Sequence, residues 1–407
     1  MGLLLDRLGQ PQLDYRTIHV AGSKGKGTTT HLADALLREH GYRTGRYTSP
    51  HLRTWNERLA IDGEHIDEEA FTQILATIED QMTALEQSSA RSGSFNAFEL
   101  LTAAAFVWFR EQQCDIAVIE VGLGGRFDST NHLRPVATVI TRIEDEHLDV
   151  LGPTLAEVAW NKAGTIRPRV PVVVANQRIV VNAAIEAEAE SHGAPLFREG
   201  IEWQTHPEGE GLRVSIGTQD WQVPDFPLAG PHNRSNLGAA VVATHLALAP
   251  EMLDQPSVGR AVGGITIPGR FDIRHYAGAD RYLVLDVAHT PESIQALLAS
   301  ARSVLGMAEF EIVLGLLADK PIGAILETVQ GHGGRLLLPH MSHPRAHSPR
   351  AVADVATTYG LRTTLFPDVD AAIESLAHDA TPVVVTGSFG IVSEALAYLA
   401  RSEAGIA

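Results

Sequence analysis

The stretch HVAGSKGKGTTT, residues 19–30, sets Lys26, with Lys24 nearby, and a row of hydroxyl side chains beside three glycines. That combination can bind phosphate, because backbone N–H groups and a helix N-terminus favour an anion and the lysine adds a point charge. The spacing departs from the common phosphate-loop pattern G-x-x-x-x-G-K-[ST]. Val20 holds the first glycine position, Gly27 stands where the hydroxyl is expected, and the hydroxyl follows one residue later as Thr28. Thr28 can still ligate Mg²⁺ if Gly27 lets the backbone bulge. A tight turn between strand and helix would use the same glycines. Lys26 and Thr28 in this context favour a nucleotide loop of Gly25, Lys26, Gly27 and Thr28.

Three further residues stand at the ends of apolar runs. Glu120 closes DIAVIE and precedes VGLGG, and a carboxylate at a strand tip beside a phosphate loop is well placed as a metal ligand. Ser49 in YTSPHL and His147 in EDEHLDVLG end two more strand-like stretches. A hydroxyl, a carboxylate and an imidazole converging from three strand tips would hold one or two Mg²⁺ ions. Singly, Ser49 and His147 read equally well as turn or capping residues. Lys162 in WNKAGTI falls near the C-terminus of a short helix, where a cation complements the helix dipole. Its spacing says no more than that.

Alternating strands and helices would position these residues, which is the pattern of parallel α/β architecture. RTIHVAG (16–22) reads as a buried strand, and TTTHLADALLREHGY as a helix stopped by Gly41. A strand around TGRYTS precedes two helices, roughly 67–90 and 96–113. DIAVIEVGLGG, VATVITRI and VPVVVAN are strands, while TLAEVAWNKAG and IVVNAAIEAEAESHGA are helices. From about 200 to 230 short alternating runs broken by Gly and Pro predict antiparallel hairpins, closed by a helix at NRSNLGAAVVATHLALA. After ITIPGRF the strands RYLVLDVAH, EIVLGLLAD, GRLLLPH and TPVVVTGSF predict a second doubly wound unit. The boundary is expected near Ile267–Gly269, giving domains 1–267 and 268–407.

A chain of 407 residues suits two or three domains. Its net charge of −17 argues against a nucleic-acid partner, since phosphate backbones are held by Lys and Arg. Small anionic substrates remain compatible, because a few local cations override the global field. No apolar run has a bilayer-spanning length, the start MGLLLDRLGQ lacks a signal-peptide layout, and Cys114 is the sole cysteine. A cytoplasmic protein without a membrane partner is expected.

Together these stretches resemble the folylpolyglutamate synthase/dihydrofolate synthase family of the Mur ligase superfamily. The resemblance runs over nearly the whole chain. It rests on IHVAGSKGKGT, TGRYTSPHL, NERLAIDGE, FELLTAAAF, PGRF, LDVAHTPES and VTGSFGIVSEAL, and most specifically on IEVGLGGRFDSTN together with EHLDVLGPTLAEVAWNKAGTIRP. The late hydroxyl is a feature of that family, whose folate branch reads G-K-G-[ST] where cell-wall Mur ligases read G-K-T or G-K-S.

The resemblance implies an N-terminal Mur-ligase-like P-loop ATPase domain and a smaller C-terminal Rossmann-like domain. It implies that Gly25, Lys26, Gly27 and Thr28 cradle the ATP phosphates, and that Ser49, Glu120 and His147, with Thr28, bind Mg²⁺. Lys162 matches a lysine whose carbamate holds a second Mg²⁺, which makes Lys26, Glu120, His147 and Lys162 the catalytic set. Asn236, Arg270, Asp286 and His289 match the nucleotide-binding region, and Phe98 and Asp128 fall where a pterin-bearing substrate binds. A monovalent cation is a further implied cofactor. The expected partners are small molecules, a folate or pterin acid and L-glutamate, acted on by a monomer.

The chain departs from the usual family spelling at Lys24 in GSKGKG, at Glu146 before His147, at His232 and Asn233 in GPHNRSN, and at Thr290 in AHTP. Two other functions fit parts of the pattern. A ligase of the same fold could join an amino acid to a non-folate acid. A simple P-loop kinase would share the loop, but PGRF and LDVAH in a second unit speak against it.

Overall fold

The computed structural model describes residues 1–88, 94–209, 211–248, 253–276, 281–306, 309–332, 334–376 and 381–403. The chain divides into two compact units, residues 1–227 with 231–265, and residues 228–230 with 266–407.

The first unit is built on eight strands: β1 (Arg16–Ala21), β2 (Thr44–Tyr47), β3 (Leu59–Ile61), β4 (Glu64–His65), β5 (Ile116–Glu120), β6 (Ala137–Ile140), β7 (Val172–Val174) and β8 (Leu196–Arg198). Their spatial order is β4-β3-β2-β5-β1-β6-β7-β8. From β2 across to β8 all neighbours pair in parallel, and the antiparallel pairs are those of β3 with β2 and with β4 at one edge. Strands buried on both faces need continuous apolar sequence, and the runs IAVIE, ATVI and VVV are buried throughout. The helices Lys26–Glu39 and Pro231–Leu248 cover one face, through Leu32, Leu36, Leu237 and Val241. The other face is covered in two parts. Helices Glu68–Gln87 and Ala97–Glu111 pack over one, and Leu155–Ala163 and Ile179–His192 over the other.

A small antiparallel sheet of β9 (Trp203–Glu208), β10 (Gly211–Ile216) and β11 (Gln219–Val223) buries Trp203, Val214 and Trp221 in the same core as the helix Pro231–Leu248. The alternation of residues 200–230 has its physical basis here, since one face of this sheet is apolar and the other polar.

The second unit holds β12 (Asp272–Tyr276), β13 (Arg281–Leu285), β14 (Glu311–Leu314), β15 (Arg335–Pro339), β16 (Arg362–Phe366) and β17 (Val383–Thr386), in the order β12-β13-β17-β14-β15-β16. Only β12 is antiparallel to its neighbour. Both units are thus mixed α/β with largely parallel sheets, as the sequence pattern predicts.

Some elements differ from their expected extent. The helix expected over 67–90 spans Glu68–Gln87, with residues 89 and 90 outside the described residues, as is Ala249 of the helix expected to end there. The β3–β4 hairpin was not expected as strands; its turn has Asp62 at φ 50° and Gly63 at φ 87°, the geometry an Asp-Gly pair favours. Strands β8, β12 and β16 are further additions to the expected set. Among the described residues no helix is long and apolar enough to cross a membrane.

Candidate active site

Four adjacent parallel strands, β2, β5, β1 and β6, deliver the sequence candidates at their carboxyl ends. Ser49 lies two residues past β2, Glu120 ends β5, the glycine loop follows β1, and His147 lies in the connection after β6. Parallel pairing places these ends along one edge of the sheet, where open α/β folds bind ligands.

The loop is fastened to the segment after β6. Arg142 O accepts hydrogen bonds from the backbone N–H of Ser23 (2.9 Å) and Lys24 (3.1 Å), and Ser23 Oγ accepts one from Glu144 N (3.0 Å). Gly25 then begins the helix Lys26–Glu39 in a left-handed conformation, φ 89°, and no side chain caps that N-terminus. Its first N–H groups therefore keep the polarity that favours an anion. Asn236, on the helix Pro231–Leu248, is buried against the loop so closely that a Cβ on Gly25 would lie 2.2 Å from its Oδ1. Lys26 Nζ reaches Ser23 O at 3.4 Å.

Glu120 is only 3% exposed, and one carboxylate oxygen accepts a hydrogen bond from Ser49 N at 3.0 Å. Thr28 is buried in the first turn of the loop helix. His147 is exposed, with φ 53°, at the start of the short helix Leu148–Leu151. Among the described residues no three His, Cys, Asp or Glu side chains gather as a metal cage. Mg²⁺ does not require one, since it commonly binds one or two carboxylates, keeps several waters and shares substrate phosphates. Glu120 ends β5, Ser49 N bonds its carboxylate, and Thr28 belongs to the loop helix after the adjacent β1, so the residues carry hard oxygens of the kind this ion takes.

Lys162 is not the solvated helix-end cation that its position in the sequence also allowed. It is 1% exposed and donates to Gly22 O at 2.8 Å, so its side chain runs beneath the phosphate loop. Glu146 sits between two lysines, with Oε1 3.6 Å from Lys162 Nζ and Oε2 3.3 Å from Lys24 Nζ. Burial pulls the Lys162 ammonium down to about 7, with Lys26 and Lys24 adding to the effect and Glu146 opposing it. Burial works against ionisation of Glu146 too. The cations Lys26, Lys162 and Lys24, with His147, outweigh it and hold the carboxyl at about 2. Lys24 and Glu146, two departures from the family spelling, are therefore partners in space. Sequence reasoning gave neither a role, although their opposite charges in two loop segments were a usable signal.

The two most specific motifs also touch. Arg126 N donates to Asn161 O at 2.8 Å, and a Cβ on Gly164 would lie 2.4 Å from Arg126 Cβ. Asn131 Nδ2 bridges Arg126 O (2.9 Å) and Gly164 O (3.1 Å). Asp128 organises the same loop, since its carboxylate accepts from Leu123 N (2.9 Å), Thr130 N (2.9 Å) and Thr130 Oγ1 (2.6 Å). Phe98 packs on the backbone after β5, where a Cβ on Gly122 would come within 2.3 Å of its ring.

In the second unit, Arg270, Asp286 and His289 gather near the carboxyl ends of β13 and β17. Asp286 accepts hydrogen bonds from Phe271 N (2.7 Å) and Ala288 N (2.8 Å), which ties PGRF to LDVAH. The Arg270 guanidinium lies 5.1 Å from the Phe389 ring centroid, and the His289 ring lies 6.4 Å from it. Thr290 caps the helix Pro291–Leu305 reciprocally with Ser293, a structural use for that departure.

The Mur ligase middle domain matches residues 20–244, and the Mur ligase, glutamate ligase domain matches residues 269–389. A dihydrofolate synthase/folylpolyglutamate synthase of Bacillus subtilis is 31% identical, covering 97% of this chain and 93% of its own. The chain belongs to this family. A second member, from Mycobacterium tuberculosis, is 32% identical over 95% of this chain and 86% of its own. Among solved structures, the folylpolyglutamate synthase of Thermotoga maritima aligns with a TM-score of 0.88 at 30% identity, covering 98% of this chain and 92% of that one. The M. tuberculosis folylpolyglutamate synthase complexed with ADP and AMPPCP has a TM-score of 0.88 at 29% identity, covering 98% and 94%. The Escherichia coli FolC structure with DHPP and ADP has a TM-score of 0.86 at 28% identity, covering 98% and 92%. Family membership makes the chain a ligase.

Proposed function

We propose that the chain joins L-glutamate to a reduced folate, to dihydropteroate, or to both, using ATP. The observation that carries this reading is the sheet edge where the uncapped loop helix, the buried Glu120 and Lys162 beneath Gly22 follow neighbouring strands. The relatives complexed with ADP and AMPPCP support a nucleotide there. In this reading residues 1–267 carry the ATPase site and residues 268–407 the ligase unit, with the enzyme a cytoplasmic monomer acting on small molecules.

A carboxylate oxygen of the acid attacks the γ-phosphorus of ATP, and ADP leaves. The neutral amine of glutamate then attacks the acyl carbon, phosphate leaves, and the amide forms with loss of the amine proton. Two anions must approach in the first step, so opposing charge has to be placed beforehand. Lys26 and the N–H groups after Gly25 supply it for the phosphates, and Asn236 fixes the loop from behind. Thr28, Ser49, Glu120 and His147 would hold Mg²⁺, which, when bound, offsets phosphate charge and polarises the transferred group. Lys162 would join them as a carbamate, formed when its neutral amine adds CO₂ and loses a proton; its burial beside Gly22 O supports a role at the loop. In the second unit, Arg270, Asp286 and His289 would serve nucleotide binding. Phe98 and Asp128 would border the pterin, and a monovalent cation would complete the set.

Phosphate release tests the reading, with dihydropteroate, tetrahydrofolate and a panel of other acids offered alongside single amino acids. Release is expected only when a folate-type acid and L-glutamate are both present, with amide product in equal amount. Lys26→Ala is expected to abolish it while the nucleotide-free melting temperature barely moves, because Lys26 Nζ makes one long contact. Release driven by a non-folate acid, or by ATP alone, would replace this reading.

A further inference from the structure

The opposite end of the first sheet carries a second concentration of positive charge. Residues leading into β6 and β7, among them Asn131, His132, Arg134, Arg167 and Arg169, line an open cleft of about 540 Å³. These residues precede strands whose carboxyl ends face the phosphate loop, so the cleft lies at the amino ends. The four residues of β6 alone separate the two ends by roughly 13 Å at strand rise. No Asp or Glu lines the cleft.

Carboxylates outside the lining, Glu188 and Asp6, offset this charge only in part. Arg167 is held by neutral acceptors only, its guanidinium donating to Gly164 O (3.1 Å), Asn131 O (2.5 Å) and Asn131 Oδ1 (2.6 Å). These bonds aim the fork; burial and the neighbouring Arg126 act against its charge, and Glu188 offsets part of that charge. Glu188 forms its ion pair with Arg126 at 2.7 Å, and Asp6 accepts from the neutral Gln10 amide and keeps its charge outside the lining of the cleft. Among the described residues the Arg134 and Arg169 side chains make no hydrogen bond and no ion pair. His132 responds to the same field: burial, the N-terminal amine and Arg167 all lower its basicity, and only Asp6 opposes them. In a chain of net charge −17, three guanidiniums around one cleft without an acid form a local reversal of sign. Such clustering opposes folding unless an anion offsets it.

We propose that this cleft is a second anion site, for a small ligand carrying two or more clustered phosphate or carboxylate groups. Guanidinium forks match both oxyanions bidentately, and the volume falls in the range of small-molecule sites. The ligand is either a polyphosphate or a chain of carboxylates such as an oligoglutamate. Its binding does not depend on the phosphate loop.

Calorimetric titration of the full chain carrying Lys26→Ala, which silences the loop, tests this with two probes, inorganic tripolyphosphate and tri-γ-glutamate. At least one probe is expected to bind with one-to-one stoichiometry, and the tighter one identifies the source of the oxyanions. Adding Arg134→Ser and Arg169→Asn is expected to weaken that binding at least tenfold. Asn tolerates the φ of 62° at position 169, so the backbone is undisturbed. Without ligand, this variant is expected to melt at or above its parent's temperature, because repulsion is relieved. Failure of both probes to bind the Lys26→Ala chain, or equal binding by the arginine variant, would overturn the proposal.

Discussion

Gly25→Ala probes the reason for a glycine at the start of the loop helix. Two separate costs arise. The residue sits at φ 89°, and an L side chain in left-handed backbone costs about 1–2 kcal/mol. The added Cβ would also fall 2.2 Å from Asn236 Oδ1 and 2.8 Å from its Cγ, closer than real Cβ atoms come. Asn236 is buried, so relief needs a rotamer change or a shift of the loop, and overpacking of this kind costs about 1–3 kcal/mol. The sum is about 2–5 kcal/mol of lost stability for the substituted chain. Only the second part involves Asn236. In an Asn236→Ala background the penalty of Gly25→Ala should therefore fall to about 1–2 kcal/mol, leaving a coupling of about 1–3 kcal/mol. Urea unfolding of the four chains measures it, with ADP titration of each reporting whether the loop still binds. An identical penalty in both backgrounds would refute the argument that Asn236 packs against the loop and dictates the glycine.

Glu120→Gln keeps the shape and the acceptor for Ser49 N but removes the charge. The rate is expected to fall at least about tenfold and to recover only partly in excess Mg²⁺; an unchanged Mg²⁺ curve would reduce Glu120 to a strand-end acid. Lys162→Arg is expected to lower activity about 10- to 100-fold, since a guanidinium forms no carbamate and is bulkier than the slot beneath Gly22. Native mass measurement should find about 44 Da added at Lys162, and full activity in the arginine variant would exclude the carbamate. His19, buried and bonded to Thr130 Oγ1 at 2.8 Å, is lowered from 6.5 to about 3, mainly by burial and secondarily by Arg167. The unfolded chain therefore takes up a proton first as pH falls, and stability should drop below pH 6.5 by up to about 1.4 kcal/mol per unit. His19→Gln is expected to flatten that slope in unfolding measured between pH 7 and pH 5; an equal slope would assign the acid sensitivity elsewhere.

Much of the architecture was legible because backbone periodicity is a local property. IAVIE, ATVI and VVV are apolar on both faces, and only a strand between two helix layers needs that. Thr154 and Glu157, three residues apart in TLAE, form the capping box that starts the helix carrying Lys162, a signal contained within four residues. Strands such as Arg362–Phe366 were harder to read, because RTTLF is partly exposed and its residues look like a loop until Arg335–Pro339 pairs with them. The three-residue β3 is likewise a strand only because Tyr47 and its neighbours supply partners.

The sequence alone determined which residues were chemically capable: the glycine loop with Lys26 and Thr28, the acid ending DIAVIE, and the family to which their motifs point. It could not decide which of them meet. The spacing of Lys162 said no more than a cation near a helix end, because helix position is written locally, and only the resemblance gave it a role at the metal site; its burial beneath Gly22 comes from a contact spanning 140 positions. Lys24 and Glu146 looked like unrelated departures, and only parallel pairing of β1 with β6 brings their segments together as an ion pair. Asn236 sets the space behind Gly25 from a helix more than 200 residues away, since burial and electrostatics depend on neighbours in space that the order of the chain does not specify.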